Sequence, residues 1–165
     1  MRRHPSALAE LAAERRRWRE VGLAVVLTNG CFDIVHPGHL ALLEAARREG
    51  DVLIAALNAD VSVRRLKGRG RPLVPQAERA ELLLALEAVD RVILYEDPTP
   101  LALVRALAPD VLVKGEDWAT GDIVGRAEVE RGGGRVVRVG LVPGCSTSAL
   151  VERIRRGSRP MRPCS

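Results

Sequence analysis

The chain has 165 residues, 47% of them hydrophobic, and carries 26 lysines and arginines against 21 acidic residues, a net charge of +5. That length suits one domain with a real core, and no apolar run is long enough to span a membrane. Aromatics make up only 2% of the chain, which argues against a stacking platform for single-stranded nucleic acid, and the basic stretch at 153–162 reads as a solvated chain end.

In chain order, residues 6–20 read as a helix, with Leu8, Leu11 and Ala12 on one face and Arg15, Arg16 and Arg17 on the other. Residues 23–27 form an apolar strand that runs into a small-residue turn at Asn29 and Gly30. A helix over 37–48 follows, with Leu40, Leu43 and Ala46 toward the core and Gly50 closing it. A second apolar strand covers 52–57 and ends at Asn58, Ala59 and Asp60. Residues 67–72, Lys-Gly-Arg-Gly-Arg-Pro, are a basic glycine-rich loop. Then come a helix over 75–88, a strand over 91–94, a helix capped by Thr99 and reaching 107, and a strand over 110–113. A helix over 123–131, a strand over 135–139 and a last helix over 146–156 complete the chain.

Strand and helix alternate, and the strands are continuous apolar runs. The fold class is therefore α/β: a Rossmann-like single domain with a mainly parallel five- or six-stranded sheet and helices on both faces. The expected division is a helical extension over 1–20, the main domain over 21–157 and a disordered tail over 158–165. In such sheets ligands bind beyond the carboxyl ends of the strands.

The densest functional signal lies between the first strand and the helix after it. His36 and His39 flank Pro37 and Gly38. Pro37 suits the first helical position. Histidines three apart share one side of the first turn, and the free N–H groups of a helix start attract anions. Gly38 removes a side chain where a ligand approaches the backbone. The arrangement suits phosphate. A zinc pair lacks a third or fourth ligand at suitable spacing, so no metal site is expected in the protein. Cys31 has nothing beside it to activate a nucleophile. The three cysteines, Cys31, Cys145 and Cys164, form an odd count without metal spacing, and the N-terminus lacks the apolar stretch of a secretory signal, so a reduced cytoplasm is the expected setting.

Further candidates lie at the same sheet edge. Lys114 ends a buried strand and is followed by Gly115. Ser146, Thr147 and Ser148 open the last helix, where one hydroxyl suffices for a cap and three make a phosphate cradle. Lys67, Arg69 and Arg71, with Arg65 nearby, have no acidic partner close in sequence, which favours anion capture by a closing loop at no cost to folding stability. Arg79, on the next helix, could reach the same phosphates.

Residues 28–39, Thr-Asn-Gly-Cys-Phe-Asp-Ile-Val-His-Pro-Gly-His, resemble the signature of the HxGH-motif nucleotidyltransferases, the cytidylyltransferase-like superfamily. The run 58–68, with Gly70, Arg71, Pro72 and Arg79, then 110–115 and 146–150, is most similar to one branch. That branch is the D-glycero-β-D-manno-heptose 1-phosphate adenylyltransferases, stand-alone or as the C-terminal domain of a bifunctional heptose kinase/adenylyltransferase. The resemblance spans about residues 23–156. It implies attack of a sugar 1-phosphate on the α-phosphate of ATP with release of pyrophosphate. Such a reaction needs no general base, because the phosphate monoester is already ionised, and it rests on positioning and charge stabilisation.

By that resemblance His36, His39 and Lys114 are catalytic. Asn29, Gly30, Cys31, Phe32, Gly38, Gly115, Asp117, Ser146, Thr147 and Ser148 hold the nucleotide. Asp33, Asn58, Lys67, Arg71 and Arg79 hold the acceptor. Mg²⁺ arrives with the ATP. The partners are ATP and a sugar phosphate, not nucleic acid or a membrane, with a homodimer through the first helix as one way to cover its apolar stripe. Glu116 stands where the branch carries glycine, and Val142, Pro143, Gly144 and Cys145 precede Ser146 where many relatives have glutamate or tyrosine. Two other readings use the same residues: transfer of a cytidylyl or adenylyl group to glycerol phosphate, FMN or phosphopantetheine, and a non-catalytic nucleotide-binding domain.

Overall fold

The computed structural model describes residues 4–116, 123–140 and 142–157. Five strands, β1 (Val25–Gly30), β2 (Val52–Asn58), β3 (Arg91–Tyr95), β4 (Val111–Gly115) and β5 (Arg135–Val139), form one sheet in the order β3-β2-β1-β4-β5. All four pairings are parallel. The helices are α1 (Leu8–Glu20), α2 (Pro37–Arg47), α3 (Asp60–Lys67), α4 (Gln76–Ala85), α5 (Leu101–Leu107), α6 (Arg126–Arg131) and α7 (Thr147–Arg156).

Alternate strand residues feed two cores. Val25, Leu27, Ile54, Ile93 and Leu112 pack with Leu11 of α1, Leu103, Val104 and Leu107 of α5 and Val129 of α6. Val26, Leu53, Ala55, Val92, Val111 and Val113 pack with Leu43 and Ala46 of α2 and Ala80 and Leu83 of α4. Both faces are thus covered, and this is why the strands read as unbroken apolar runs. The chain steps outward from β1 to β2 and β3, then returns to lay β4 on the other side of β1. The switch point therefore lies between β1 and β4, where ligands of open parallel sheets bind.

Several expectations change in detail. Asn29 and Gly30 remain strand, paired with Ala56 and Leu57, because a central strand with a full ladder overrides their turn preference. Residues 60–67 form a helix that the sequence reading passed over. It is short and β-branched, and its N-terminal Ala59 gives no side-chain cap. Thr99 does not cap α5; Pro100 holds that position, without a side-chain hydrogen bond. Leu40 is 39% exposed and lies off the core.

Arg15 is the largest departure on α1. Assigned to the solvent face, it is only 5% exposed. Its guanidinium donates to the carbonyls of Leu107 (3.1 Å) and Ala108 (3.0 Å) at the end of α5, and to both oxygens of Asp110. Asp110 also accepts from the N–H of Val25 at 2.7 Å. A cation at a helix C-terminus is favourable, and here it also ties α1 to the start of β1.

Candidate active site

The carboxyl ends of β1, β2, β3 and β4 open into one cavity of about 540 Å³, within the usual range for a small-molecule site. Its central wall is the segment from Gly30 to α2. Phe32 turns back at φ 45° and buries its ring. A Cβ on Gly30 would lie 3.2 Å from that ring, so the glycine makes room for it. His36 caps α2, its Nδ1 accepting from the N–H of His39 at 3.3 Å. The two imidazoles stack, with centroids 3.8 Å apart and planes at 20°, and His39 lies 5.1 Å from the Phe32 ring. A Cβ on Gly38 would meet the His36 ring at 3.0 Å and Cys145 at 3.2 Å, so only glycine lets the loop before α7 come this close.

Burial, then the charges of His36 and Lys67, push the pKa of His39 down to about 4. Burial lowers His36 as well. Near neutral pH the pair is uncharged and offers N–H donors. Cys31 is shifted the other way: burial raises its thiol pKa, against the opposing charges of Lys67 and Arg79. A buried, protonated thiol is a poor nucleophile.

Opposite this wall stand Lys114, 7% exposed at the end of β4, then Gly115, and the start of α7. The three hydroxyls there differ. Ser146 Oγ caps the helix by accepting from Ala149 N–H at 3.1 Å. Thr147 Oγ1 donates to the Ile34 carbonyl at 3.5 Å and joins α7 to the histidine loop. Ser148 is exposed. All three line the cavity. So do Asn29, Gly30, Cys31, Phe32, His36, Gly38, His39, Asn58, Lys67, Lys114 and Gly115. Asp117 lies outside the described residues, as do the expected tail at 158–165 and Cys164.

Three acceptor-binding assignments need correction. Arg79 is fully buried. It donates to the carbonyls of Val74 (2.9 Å), Cys31 (2.5 Å) and Asn58 (2.9 Å) and to Asp60 Oδ1 (2.6 Å). Its donors are consumed in holding the ends of β1 and β2 together, so it cannot reach a substrate phosphate. Asp33, 2% exposed, accepts from the N–H groups of Leu73 (2.6 Å) and Val74 (3.1 Å) and from Arg71 Nη1 (2.5 Å). Neither Asp33 nor Arg71 lines the cavity. The basic loop does have an acidic partner, supplied by a segment 38 residues away. Among the described residues no three His, Cys, Asp or Glu side chains cluster to hold a metal ion.

The cavity also takes residues that sequence reasoning missed, chiefly Thr28, Leu66, Tyr95 and Pro98–Pro100. Tyr95 is the only tyrosine in the chain. It is the last residue of β3, one beyond the expected strand end. Its pKa is pushed up to about 12, chiefly by burial, so its hydroxyl keeps its proton.

A parallel sheet with stacked histidines at its first crossover, facing a strand-end lysine across the switch point, defines a nucleotide-handling α/β domain. The family model described as cytidylyltransferase-like matches residues 27–151, and the chain belongs to that family. Among curated proteins it is similar to the bifunctional protein HldE of Mesorhizobium japonicum, 50% identical over 158 residues, covering 94% of this chain and 32% of that protein. The HldE protein of Acidiphilium cryptum is 53% identical over 149 residues, with 90% and 30% covered. The chain thus spans about a third of the length of these relatives. Among solved structures, a lipopolysaccharide core biosynthesis protein from Thermoplasma volcanium superposes with a TM-score of 0.61 at 27% identity, covering 73% of this chain and 97% of that one. No helix among the described residues is long and apolar enough to cross a membrane.

Proposed function

We propose that this domain transfers AMP from ATP to a sugar 1-phosphate, D-glycero-D-manno-heptose 1-phosphate by its sequence resemblance, and releases pyrophosphate. The observation that carries this reading is the stacked His36–His39 pair at the start of α2, facing Lys114 and the hydroxyl-lined start of α7 across one cavity. The triphosphate lies between the two helix starts, whose N–H groups favour anions. His39 and His36 donate to the oxygens of the α-phosphate, where charge builds as the acceptor phosphate attacks. Lys114 supplies the fixed positive charge. These are preorganised donors in a partly dry site, the usual source of most of the rate in such transfers.

Asn29, Gly30, Cys31, Phe32, Gly38, Gly115 and Ser146–Ser148 surround the nucleotide, and Asn58 and Lys67 face the acceptor. Asp33 and Asp60, near the histidine wall, are paired with Arg71 and Arg79. Mg²⁺ would enter with the triphosphate and neutralise part of its charge.

Pyrophosphate release is the test. ATP with heptose 1-phosphate is expected to give stoichiometric pyrophosphate and an ADP-sugar. CTP with glycerol 3-phosphate, and ATP with FMN or phosphopantetheine, are expected to give none. Turnover with one of those pairs and not with any sugar 1-phosphate overturns the assignment, and silence with every pair leaves a nucleotide-binding domain.

A further inference from the structure

The ends of β1, β2 and β3 carry a polar cluster around Tyr95, a residue to which the proposed reaction gives no role. Asn29 Nδ2 donates to the hydroxyl of Tyr95 at 3.0 Å. Asn58 pairs with Tyr95 in the β2–β3 register. Asn58 Nδ2 donates to Ser62 Oγ at 3.0 Å, fixing the amide. The phenol oxygen is thus an acceptor toward Asn29. The Tyr95 proton is then directed elsewhere, and Tyr95 lines the cavity. Next to it, Asn29 Oδ1 is buried and has no hydrogen-bond partner among the described residues. A buried acceptor left unpaired is costly, so a partner from the ligand is expected. The two groups form a donor and an acceptor side by side, anchored on rigid strand ends. Adjacent hydroxyls of a sugar match it.

Position decides which ligand. Lys114, Gly115 and the start of α7 occupy the β4 side of the histidine loop, where the nucleotide phosphates belong in the proposed reaction. Tyr95 and Asn58 occupy the β2–β3 side, as does Lys67 at the end of α3. We propose that Tyr95 and Asn29 together recognise ring hydroxyls of the acceptor sugar, Tyr95 Oη donating and Asn29 Oδ1 accepting, and so set specificity for a polyhydroxylated acceptor. This rests on the sugar 1-phosphate reading and moves Asn29 from the nucleotide to the acceptor.

The experiment compares the full chain and Tyr95→Phe, with ATP, heptose 1-phosphate and its monodeoxy analogues. The wild type is expected to lose about tenfold or more in kcat/KM with one of the deoxy analogues and little with the others. Tyr95→Phe is expected to raise KM for the full acceptor by about the same factor. It leaves KM for ATP unchanged and erases the discrimination against that analogue. A structural role would not couple one enzyme hydroxyl to one substrate hydroxyl. Equal turnover of all deoxy analogues by the wild type overturns the inference even if the variant misfolds. So does a rise in KM for ATP equal to that for the acceptor. Failure of the parent reading looks different: the wild type then releases no pyrophosphate with any sugar 1-phosphate, and both fall together.

Discussion

Arg71 Nη1 lies 2.5 Å from Asp33 Oδ2 and so fastens the glycine-flanked basic loop to the segment that leads into the histidine helix. Burial raises the carboxyl pKa of Asp33, but the Arg71 hydrogen bond and the N–H groups of Val74 and Leu73 outweigh it and hold the group below the usual carboxylate value. Arg71 is thus a latch whose loss is paid in folding stability. Arg71→Ala is expected to destabilise by about 1–3 kcal/mol, since the two backbone donors still satisfy much of Asp33. That is a fall of several degrees in Tm for a domain of this size. The sign with pH follows from the depressed carboxyl. The pair's contribution is complete above the unfolded pKa of about 4 and is lost as pH falls through the lower folded value. The penalty of Arg71→Ala, read by denaturant titration, should therefore shrink toward pH 3. A variant that melts like wild type while losing kcat/KM would make Arg71 a ligand group instead.

His39 gives the same sign in a higher pH window. Its folded pKa of about 4 lies below the ordinary imidazole value, so between those limits the unfolded chain binds a proton that the native chain does not. Stability should fall as pH drops from about 6.5 toward 4, and His39→Gln should flatten that part of the curve. In activity, His39→Ala is expected to lower kcat by at least about a hundredfold with the fold intact, the size of a lost oxyanion donor. Denaturant titrations at several pH values and steady-state rates at pH 7.5 check both halves. Near-normal turnover in His39→Ala would remove the imidazole from the reaction.

The sheet and the histidine-bearing wall of the cavity were legible in the sequence because each rests on a local signal: continuous apolar runs for buried strands, and proline, glycine and two histidines at one helix start. What stayed hidden depends on long-range pairing. Arg79 and Arg15 look like surface cations in sequence, yet both are buried, because their partners are backbone carbonyls at strand and helix ends that no residue pattern announces. Asp33 and Arg71 are 38 residues apart, so the loop seemed free of acid. Tyr95 escaped notice because it extends an apolar strand by one residue, and only the alignment of β3 beside β2 brings it to Asn58.

Glu116 follows β4, with its backbone N–H on the Val139 carbonyl at 2.9 Å and its own carbonyl accepting from Arg138 Nη2 at 2.6 Å. Those bonds fix the backbone, while the side chain is exposed and runs past Gly140, which lines the cavity. A Cβ on Gly140 would lie 3.7 Å from Glu116 Oε2. A carboxylate at that edge accepts from an exocyclic amino group and repels a carbonyl oxygen. Glu116→Gly is expected to narrow the preference for ATP over GTP by roughly fivefold to tenfold, the worth of about one hydrogen bond. Pyrophosphate release with ATP, GTP and CTP measures it, and identical ratios in the two proteins would leave Glu116 a solvated surface charge.

Lys67 is the basic residue of the loop region that does face the cavity. It ends α3, it is exposed, and its charge is felt at both Cys31 and His39. Gly68 follows at φ 88° and Gly70 at φ 92°, conformations open to glycine and strained for other residues. The chain can therefore turn sharply after Lys67 without carrying the lysine away from the cavity, while Arg71 fixes the far end of the turn on Asp33. Lys67→Ala should leave stability within about 0.5 kcal/mol, since an exposed side chain at a helix end packs against little. Its loss should appear in binding. A charged contact to phosphate is worth about 1.5–3 kcal/mol, roughly ten- to a hundredfold in kcat/KM. The same variant removes a cation near His39, so its imidazole pKa should rise slightly and shift the acid limb of the pH–rate profile upward. Thermal melts, kinetics with each substrate varied in turn, and the pH profile give three independent readings. Wild-type kcat/KM in Lys67→Ala would show that the acceptor phosphate is held without the basic loop, and the asymmetry between Lys67 and Arg71 would then have no catalytic meaning.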